Sequence, residues 1–113
     1  MAAPRRPGKL KTGTKAATGL VFTEADSILI EPGYFQIVVN GTFDATWALV
    51  RSTDDPSSSP TWTQVEDAAA AATHTTARVL VGYEAEGAYY NVDVTIYGSG
   101  TVAARVAQTT RPY

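Results

Sequence analysis

The chain has 113 residues, contains no cysteine, carries a formal net charge of −2 and is 44% hydrophobic. This length corresponds to one globular domain with a modest core, and the lack of cysteine excludes a disulfide framework and any thiolate metal site. Because no stretch reaches the ~20 apolar residues of a membrane-spanning helix and the N-terminus lacks the apolar segment of a secretory signal, we expect a soluble, cytoplasmically made protein with no membrane partner.

The charges are distributed unevenly along the chain. Five of the nine cationic residues lie within the first fifteen positions, namely Arg5, Arg6, Lys9, Lys11 and Lys15. All eleven carboxylates lie between Glu24 and Asp93, so residues 1–19 carry +5 and residues 20–113 carry −7. Residues 1–19 also contain too little apolar surface to offset the entropy of ordering. They are predicted to form a flexible basic arm that docks on an acidic partner, and residues 20–113 are predicted to form the folded domain.

From residue 20 onward, short apolar runs alternate with turn residues, which is typical of an all-β protein. The predicted strands cover, in chain order, residues 20–23, 27–31, 34–40, 46–52, 61–66, 75–81, 88–97 and 101–108. The alanine run that follows Asp67 is interpreted as a loop, because so short a helix is marginal without packing. Seven or eight short strands behind an extended N-terminal arm predict an antiparallel β-sandwich, Ig-like or jelly-roll-like, with a barrel as the alternative.

The last two predicted strands alternate most clearly between apolar and polar residues. One predicted face of the first of them holds Tyr90, Val92, Val94 and Ile96. A three-residue turn at 98–100 would pair the two strands as a hairpin and place Asp93 opposite Arg105. The face of that charge pair is predicted to be a subunit interface, formed by Tyr89, Tyr97, Asp93 and Arg105.

The residue types that carry catalysis form no recognisable constellation in the sequence. The single histidine, His74, is interpreted as an exposed loop residue, because no nucleophile motif or marked acid accompanies it. The paired acids at 54–55, 66–67 and 84–86 are interpreted as solvated turn residues, since their spacing matches no calcium loop. There is no phosphate-binding glycine loop and no basic patch interleaved with aromatics. We therefore predict no enzymatic activity, no cofactor, no metal and no specific nucleic-acid partner.

Aromatic side chains are the remaining candidates for a binding surface. A sugar-stacking platform would draw on Trp47, Trp62, Tyr34, Tyr83, Tyr89, Tyr90 and Tyr97. Packing within the core and between strands is the favoured interpretation, because both tryptophans lie in predicted strands and aromatic residues routinely serve this purpose.

Several motifs between residues 41 and 108 resemble a known class of protein. They are the stretch GTFDATWALVRSTD at 41–54, Thr61-Trp62, EAEGAYY at 84–90, YGSGTV at 97–102 and RVAQ at 105–108. In this combination the chain resembles small β-sandwich structural proteins of tailed bacteriophages, of the capsid decoration or head-fibre type.

The resemblance implies a virion protein on the capsid exterior, a decoration (cement) protein that binds the major capsid protein and stabilises the shell. The docking segment would be the basic arm with Arg5, Arg6, Lys9, Lys11 and Lys15. Proteins of this type commonly occupy capsid symmetry axes, so a homotrimer is the first expectation and a monomer the second. The alternative is a carbohydrate- or receptor-binding module of a phage head or tail fibre, whose partner would be a host-surface glycan.

Overall fold

Nine β-strands account for most of the chain that the structure, a computed structural model, describes, namely residues 9–24, 27–65 and 73–108. The strands are β1 Lys9–Lys15, β2 Gly19–Leu20, β3 Ile28–Ile30, β4 Gly33–Asn40, β5 Phe43–Ser52, β6 Thr63–Gln64, β7 Arg78–Glu84, β8 Ala88–Gly100 and β9 Val102–Gln108. The prediction of an all-β protein is thereby confirmed.

The strands form two antiparallel sheets. Sheet A has the order β1-β9-β4-β7, and sheet B has the order β2-β8-β5-β6 with β3 also paired to β8. The pairing is nested, because β1 pairs with β9, β2 and β3 with β8, β4 with β7, and β5 with β6. A long hairpin folded over onto itself in this way is a jelly roll. Of the two predicted sandwich types, the structure is therefore jelly-roll-like and not Ig-like. In this arrangement β2 and β3 are two parts of one interrupted strand.

The core lies between the two sheets and is built from alternate residues of the long strands. Trp47 is completely buried, as are Ile37, Val92 and Val106. Within sheet A, the ring of Phe35 lies over its cross-strand partner Gly82, where a Cβ atom would lie 2.6 Å from Cζ of Phe35. Each large apolar side chain buried in this way contributes roughly 1.5–3 kcal/mol to folding.

The predicted hairpin of the last two strands is wrong, although its apolar residues other than Ile96 are buried as expected. β8 pairs with strands of sheet B and β9 pairs with strands of sheet A, so the chain crosses between sheets at Thr101. Asp93 lies opposite Ala48, whereas Arg105 lies opposite Val38 in the other sheet. The two apolar faces meet across the core. Period-two alternation determines which face a residue takes but not which strand lies beside it.

A β-bulge also changes the face on which two predicted residues lie. Val94 pairs with Trp47 and Ile96 pairs with Thr46, which leaves Thr95 as an extra residue in β8. An extra residue reverses the alternation beyond it. Ile96 is therefore 64% exposed instead of buried, and Tyr97 packs against the core instead of facing outward.

Part of the predicted N-terminal arm is a strand of the sandwich. All seven residues of β1 pair with β9, and Gly13 is so close to Phe22 that a Cβ atom would lie 2.8 Å from its ring. The prediction of a flexible arm therefore fails for residues 9–15. The backbone N–H and C=O groups of this polar segment pair with β9 independently of its side chains, because every residue here carries these groups. Residues 1–8, with Arg5 and Arg6, lie outside the described residues.

Asn91 bridges the interruption between β2 and β3. Its Oδ1 accepts a hydrogen bond from the Phe22 N–H at 3.0 Å, and its Nδ2 donates to the Phe22 carbonyl at 2.7 Å. Asn91 is completely buried. One amide side chain thus replaces the strand pairing that is missing at this position.

Replacing Asn91 with alanine is expected to lower the free energy of unfolding by about 2–3 kcal/mol, because a buried N–H and a buried carbonyl both lose their partner. Urea unfolding would measure the loss. Asn40→Ala, which changes an exposed asparagine of β4, is the matched control and should shift stability by less than ~0.5 kcal/mol. Equal effects of the two changes would contradict the bridging role.

Candidate functional site

Among the described residues, the outer surface of sheet A forms an array of exposed side chains, which we call the open face. The register places its residues in rows that cross the sheet. The first row is Leu10, Ala107, Gln36 and Val81, and the second is Thr12, Arg105, Val38 and Val79. Thr14, Ala103 and Asn40 form a third row, and Tyr34 lies opposite Tyr83 at the other end.

The open face is unusually apolar for a solvent-facing surface. Its large side chains Leu10, Tyr34, Val79, Val81 and Tyr83 are between 56% and 73% exposed. Arg105 is the one charged residue among the positions named above. Because small monomeric domains rarely expose a contiguous apolar patch, such a face indicates a contact surface for another molecule.

The opposite side of the sandwich is different. Ala48 and Val50 alternate with the core residues Trp47 and Leu49, so they point out of sheet B, yet they are 0% and 2% exposed. Loops lie on this side, where the indole Nε1 of Trp62 donates to the Glu24 carboxylate at 3.2 Å. Within the described residues, the open apolar sheet surface therefore belongs to sheet A.

Two tyrosines mark one end of the open face. The rings of Tyr34 and Tyr83 meet edge to face with centroids 5.0 Å apart. This geometry is favourable for aromatic pairs and holds both rings in place. The pair presents a preformed, amphipathic anchor of the kind enriched at protein interfaces.

The residues predicted to form the basic arm and the subunit interface do not meet in one place. Lys9, Lys11 and Lys15 occupy alternate positions of β1, and the last two, which are half-buried, lie opposite the inward-facing Val106 and Val102. The predicted interface is also divided between elements. Tyr89 and Asp93 belong to sheet B, Tyr97 packs against the core, and Arg105 lies on the open face.

An ion pair between the buried Glu84 and the partly exposed Arg51 connects the two sheets at one end of the sandwich. The Glu84 carboxylate of β7 accepts hydrogen bonds from Arg51 Nε at 2.7 Å and Nη2 at 2.8 Å, and from the Tyr90 hydroxyl at 2.8 Å. The backbone N–H groups of Glu86 and Gly87 donate to it at 2.9 and 3.0 Å. Glu84 is 2% exposed, so its interpretation as a solvated turn acid is wrong.

The Glu84 cluster is built for structure and not for proton transfer. The Arg51 guanidinium, supported by the other donors, lowers the pKa of Glu84 from 4.5 to about 2 against the opposing effect of burial. Burial and the adjacent carboxylate raise the pKa of Tyr90 to about 12. A general acid or base works best with a pKa near the operating pH. The sequence contained a signal for this cluster. Arg51 follows Trp47 and Leu49 at a spacing of two residues on β5, so alternation places all three side chains on the inward face.

His74 is also buried, contrary to its interpretation as an exposed loop residue. It exchanges two backbone hydrogen bonds of 2.8 Å with Trp47, and its ring lies 4.6 Å from the indole. The Nδ1 atom is 2.9 Å from Nη1 of Arg78. Because a guanidinium can only donate, Nδ1 accepts, which requires the neutral form of the imidazole.

A shallow polar cleft opens beside the Glu84 cluster. Its volume is about 640 Å³, and it is lined by Arg51, Ser52, Thr53, Asp54, Thr61, Thr63, Gln64 and Val65. Asp54 is already engaged in holding the loop, since its carboxylate accepts a hydrogen bond from the Thr61 N–H at 2.8 Å. The described residues that line the cleft offer hydroxyl, amide and guanidinium groups suited to a polar ligand, and none of them is an aromatic residue on which a sugar could stack.

Among residues 9–24, 27–65 and 73–108, no group of three or more His, Asp or Glu side chains is arranged to hold a metal ion. In the same part of the chain, no helix has the length and apolar character needed to cross a bilayer.

Comparison with known proteins bears on the fold alone. No protein-family model and no curated protein matches the chain. A structure of the metallopeptidase IMPa from Pseudomonas aeruginosa, in complex with an O-glycopeptide, aligns with a TM-score of 0.57 at 15% identity. That alignment covers 96% of this chain but only 13% of IMPa.

Two smaller proteins also align along most of their length. The Yersinia pseudotuberculosis-derived mitogen aligns with a TM-score of 0.50 at 11% identity, covering 94% of this chain and 91% of the mitogen. The SPBc2 prophage-derived protein YomS aligns with a TM-score of 0.45 at 6% identity, covering 96% of this chain and all of YomS. The YomS similarity is too low to bear on fold or function. The IMPa and mitogen structures agree with an all-β fold and provide no basis for assigning an activity to this chain.

Proposed function

We propose that this chain is a non-catalytic structural module of a phage virion, which attaches to the capsid exterior through the open face of sheet A. The observation that carries the proposal is the exposed apolar surface of Leu10, Tyr34, Val79, Val81 and Tyr83. Jelly rolls recur in viral capsid and lectin domains, where they serve as rigid bodies for assembly and binding. The sequence resemblance to phage decoration proteins selects the capsid as the assembly.

Basic residues supplement the apolar contact in this proposal. β1 borders the open face and begins at Lys9, three positions after Arg6 in the chain. In this proposal Arg5 and Arg6, which lie outside the described residues, contact acidic groups of the major capsid protein at the margin of the interface. Charges at the rim of an interface steer association more than they add affinity. The apolar face therefore carries the attachment, and the basic residues orient it.

Carboxylates placed on the open face test the proposal. In Leu10→Glu combined with Gln36→Glu, both exposed positions would carry a charge that docking must desolvate. We expect capsid affinity to fall by more than ~10-fold, since burying each unpaired charge costs well over 1.4 kcal/mol. The measurement is co-sedimentation of the purified chain with capsids assembled from the major capsid protein of the same phage genome.

Ile96→Glu is the matched control, because Ile96 is 64% exposed but belongs to sheet B. This variant should bind capsids like the unmodified chain. All three proteins should have the same thermal transition, since the changed side chains are exposed. Undiminished binding of the double variant, or failure of the unmodified chain to bind, would refute attachment through the open face.

The polar cleft beside Arg51 supports a second candidate, a carbohydrate-binding module on a phage head or tail fibre. Its lining offers hydroxyl, amide and guanidinium groups to a glycan. A glycan array probed with the chain and with Gln64→Ala, which removes an exposed amide from the cleft, separates the two candidates. A glycan signal that Gln64→Ala abolishes would favour this function, and a blank array would remove it.

A further inference from the structure

The two edges of sheet A have opposite character. Sheet A ends at β1 on one side and at β7 on the other. Lysines occupy alternate positions of β1, an arrangement that discourages another strand from pairing with an edge. β7 has the sequence RVLVGYE without lysine or proline, and its register with β4 is continuous. Among the described residues, β7 pairs with β4 alone, so its other edge offers backbone hydrogen-bonding groups.

The sequence of β7 is complementary to itself when two copies run antiparallel. With Val81 opposite Val81, Val79 falls opposite Tyr83, and Leu80 falls opposite Gly82. The end residues Arg78 and Glu84 fall opposite each other but form no ion pair, because the Glu84 carboxylate is bound by Arg51 and Tyr90 of its own chain. Pairs of β-branched with aromatic residues are favourable across antiparallel strands.

We propose that the partner of the β7 edge is a second copy of this chain, paired antiparallel through β7 about a two-fold axis at Val81. Such an axis stands perpendicular to the sheet, so the two sheets A become one continuous sheet. Both open faces then lie on the same side of the dimer. The pairing goes beyond the proposed function and does not depend on it, whereas the value of two adjacent faces for capsid attachment rests on that function.

A two-fold dimer also fits the edges better than the trimer expected from the resemblance to decoration proteins. Edge pairing within a closed ring of three copies is heterologous, so each β7 would meet a different edge of its neighbour. Within sheet A that edge is β1, with its lysines at alternate positions. The self-complementary strand needs no second edge. The contact is one strand wide and belongs with the small, reversible interfaces below ~1,200 Å².

Cysteine cross-linking tests both the pairing and its register. The chain contains no cysteine, so a single introduced thiol gives a clean signal. Directly opposite residues have Cα atoms about 4.5–5.5 Å apart, within disulfide range. Val81→Cys should therefore form a covalent dimer in oxidised glutathione. Val79→Cys and Tyr83→Cys should not cross-link alone, because an offset of four residues separates identical thiols by about 13 Å, but their equimolar mixture should.

Ile96→Cys is the control for random collision, because its thiol is exposed on the other sheet. It should remain monomeric on a non-reducing gel. Cross-linking of Val79→Cys alone to the same extent as Val81→Cys would overturn the register. Absence of any cross-link from Val81→Cys would overturn the pairing.

Sedimentation of the isolated, unmodified chain provides the second measurement. We expect a concentration-dependent monomer–dimer equilibrium, which Val81→Lys abolishes by placing like charges across the axis and which Val81→Thr retains. A species with three times the monomer mass, or a monomer at all concentrations, would overturn the proposal. This measurement contains no capsid, so it tests dimer formation independently of capsid attachment.

Discussion

Replacing Glu84 with glutamine is expected to lower the free energy of unfolding by about 3 kcal/mol, because folding lowers the pKa of Glu84 from 4.5 to about 2 and one pKa unit corresponds to about 1.4 kcal/mol. The change leaves the Arg51 guanidinium, which is 33% exposed, without its counterion and turns an amide NH₂ toward groups that act as donors to the carboxylate. Those donors are Arg51, the Tyr90 hydroxyl and the N–H groups of Glu86 and Gly87. Since stability of the whole domain is of the order of 5–15 kcal/mol, this is a large fraction.

The same carboxylate should make stability depend on acid pH. The pKa of Glu84 is lowered from 4.5 to about 2 by folding. Between these values the unfolded chain binds more protons than the folded chain, so stability rises with pH. The contribution, of the order of 3 kcal/mol, is fully present above pH 4.5 and is lost as the pH falls toward 2. Glu84→Gln should lack this part of the acid dependence.

Urea unfolding of both proteins at a series of pH values between 2 and 7 measures these effects. Glu86→Gln is the matched control, because Glu86 is exposed and lies two residues away in the same turn. Its curve should follow that of the unmodified chain. A parallel acid dependence in Glu84→Gln and the unmodified chain would show that the ion pair does not account for acid sensitivity.

Deleting residues 2–19 is expected to abolish cooperative folding, whereas deleting residues 2–8 should leave the domain folded. The longer deletion removes β1, which pairs with β9 along its whole length. It would uncover the edge of β9 beside the buried Val102 and Val106 and remove the backbone that packs against Phe22. The shorter deletion removes Arg5 and Arg6 but no residue of the described sheet.

Circular dichroism and thermal melting distinguish the two deletions. The 2–19 deletion should lose its sharp transition, and the 2–8 deletion should melt within a few degrees of the full chain. Only the shorter variant is then suitable for testing the cations in capsid binding. A well-folded 2–19 deletion would restore the interpretation of the whole segment as a separate arm.

Alternation of apolar and polar residues along the chain was sufficient to predict the all-β class and most of the core. Alternation in the predicted strands named Val92, Val94, Val102, Ala104 and Val106 as apolar and inward, and all five are buried. This works because the two faces of a strand follow from local geometry with a period of two. The same argument failed at Ile96, where the bulge at Thr95 reverses the phase, and at the N-terminus, where pairing with β9 overrides an unfavourable composition.

The pairing of the strands, and therefore the position of the open face, became known from the three-dimensional fold. Tyr34 and Tyr83 are separated by nearly fifty positions in the chain, yet they meet because β4 pairs with β7. Glu84 became a buried anchor because the fold brought Arg51 and Tyr90 to it from the other sheet. Strand pairing joins distant segments through backbone groups that every residue carries, so side-chain patterns alone do not specify it.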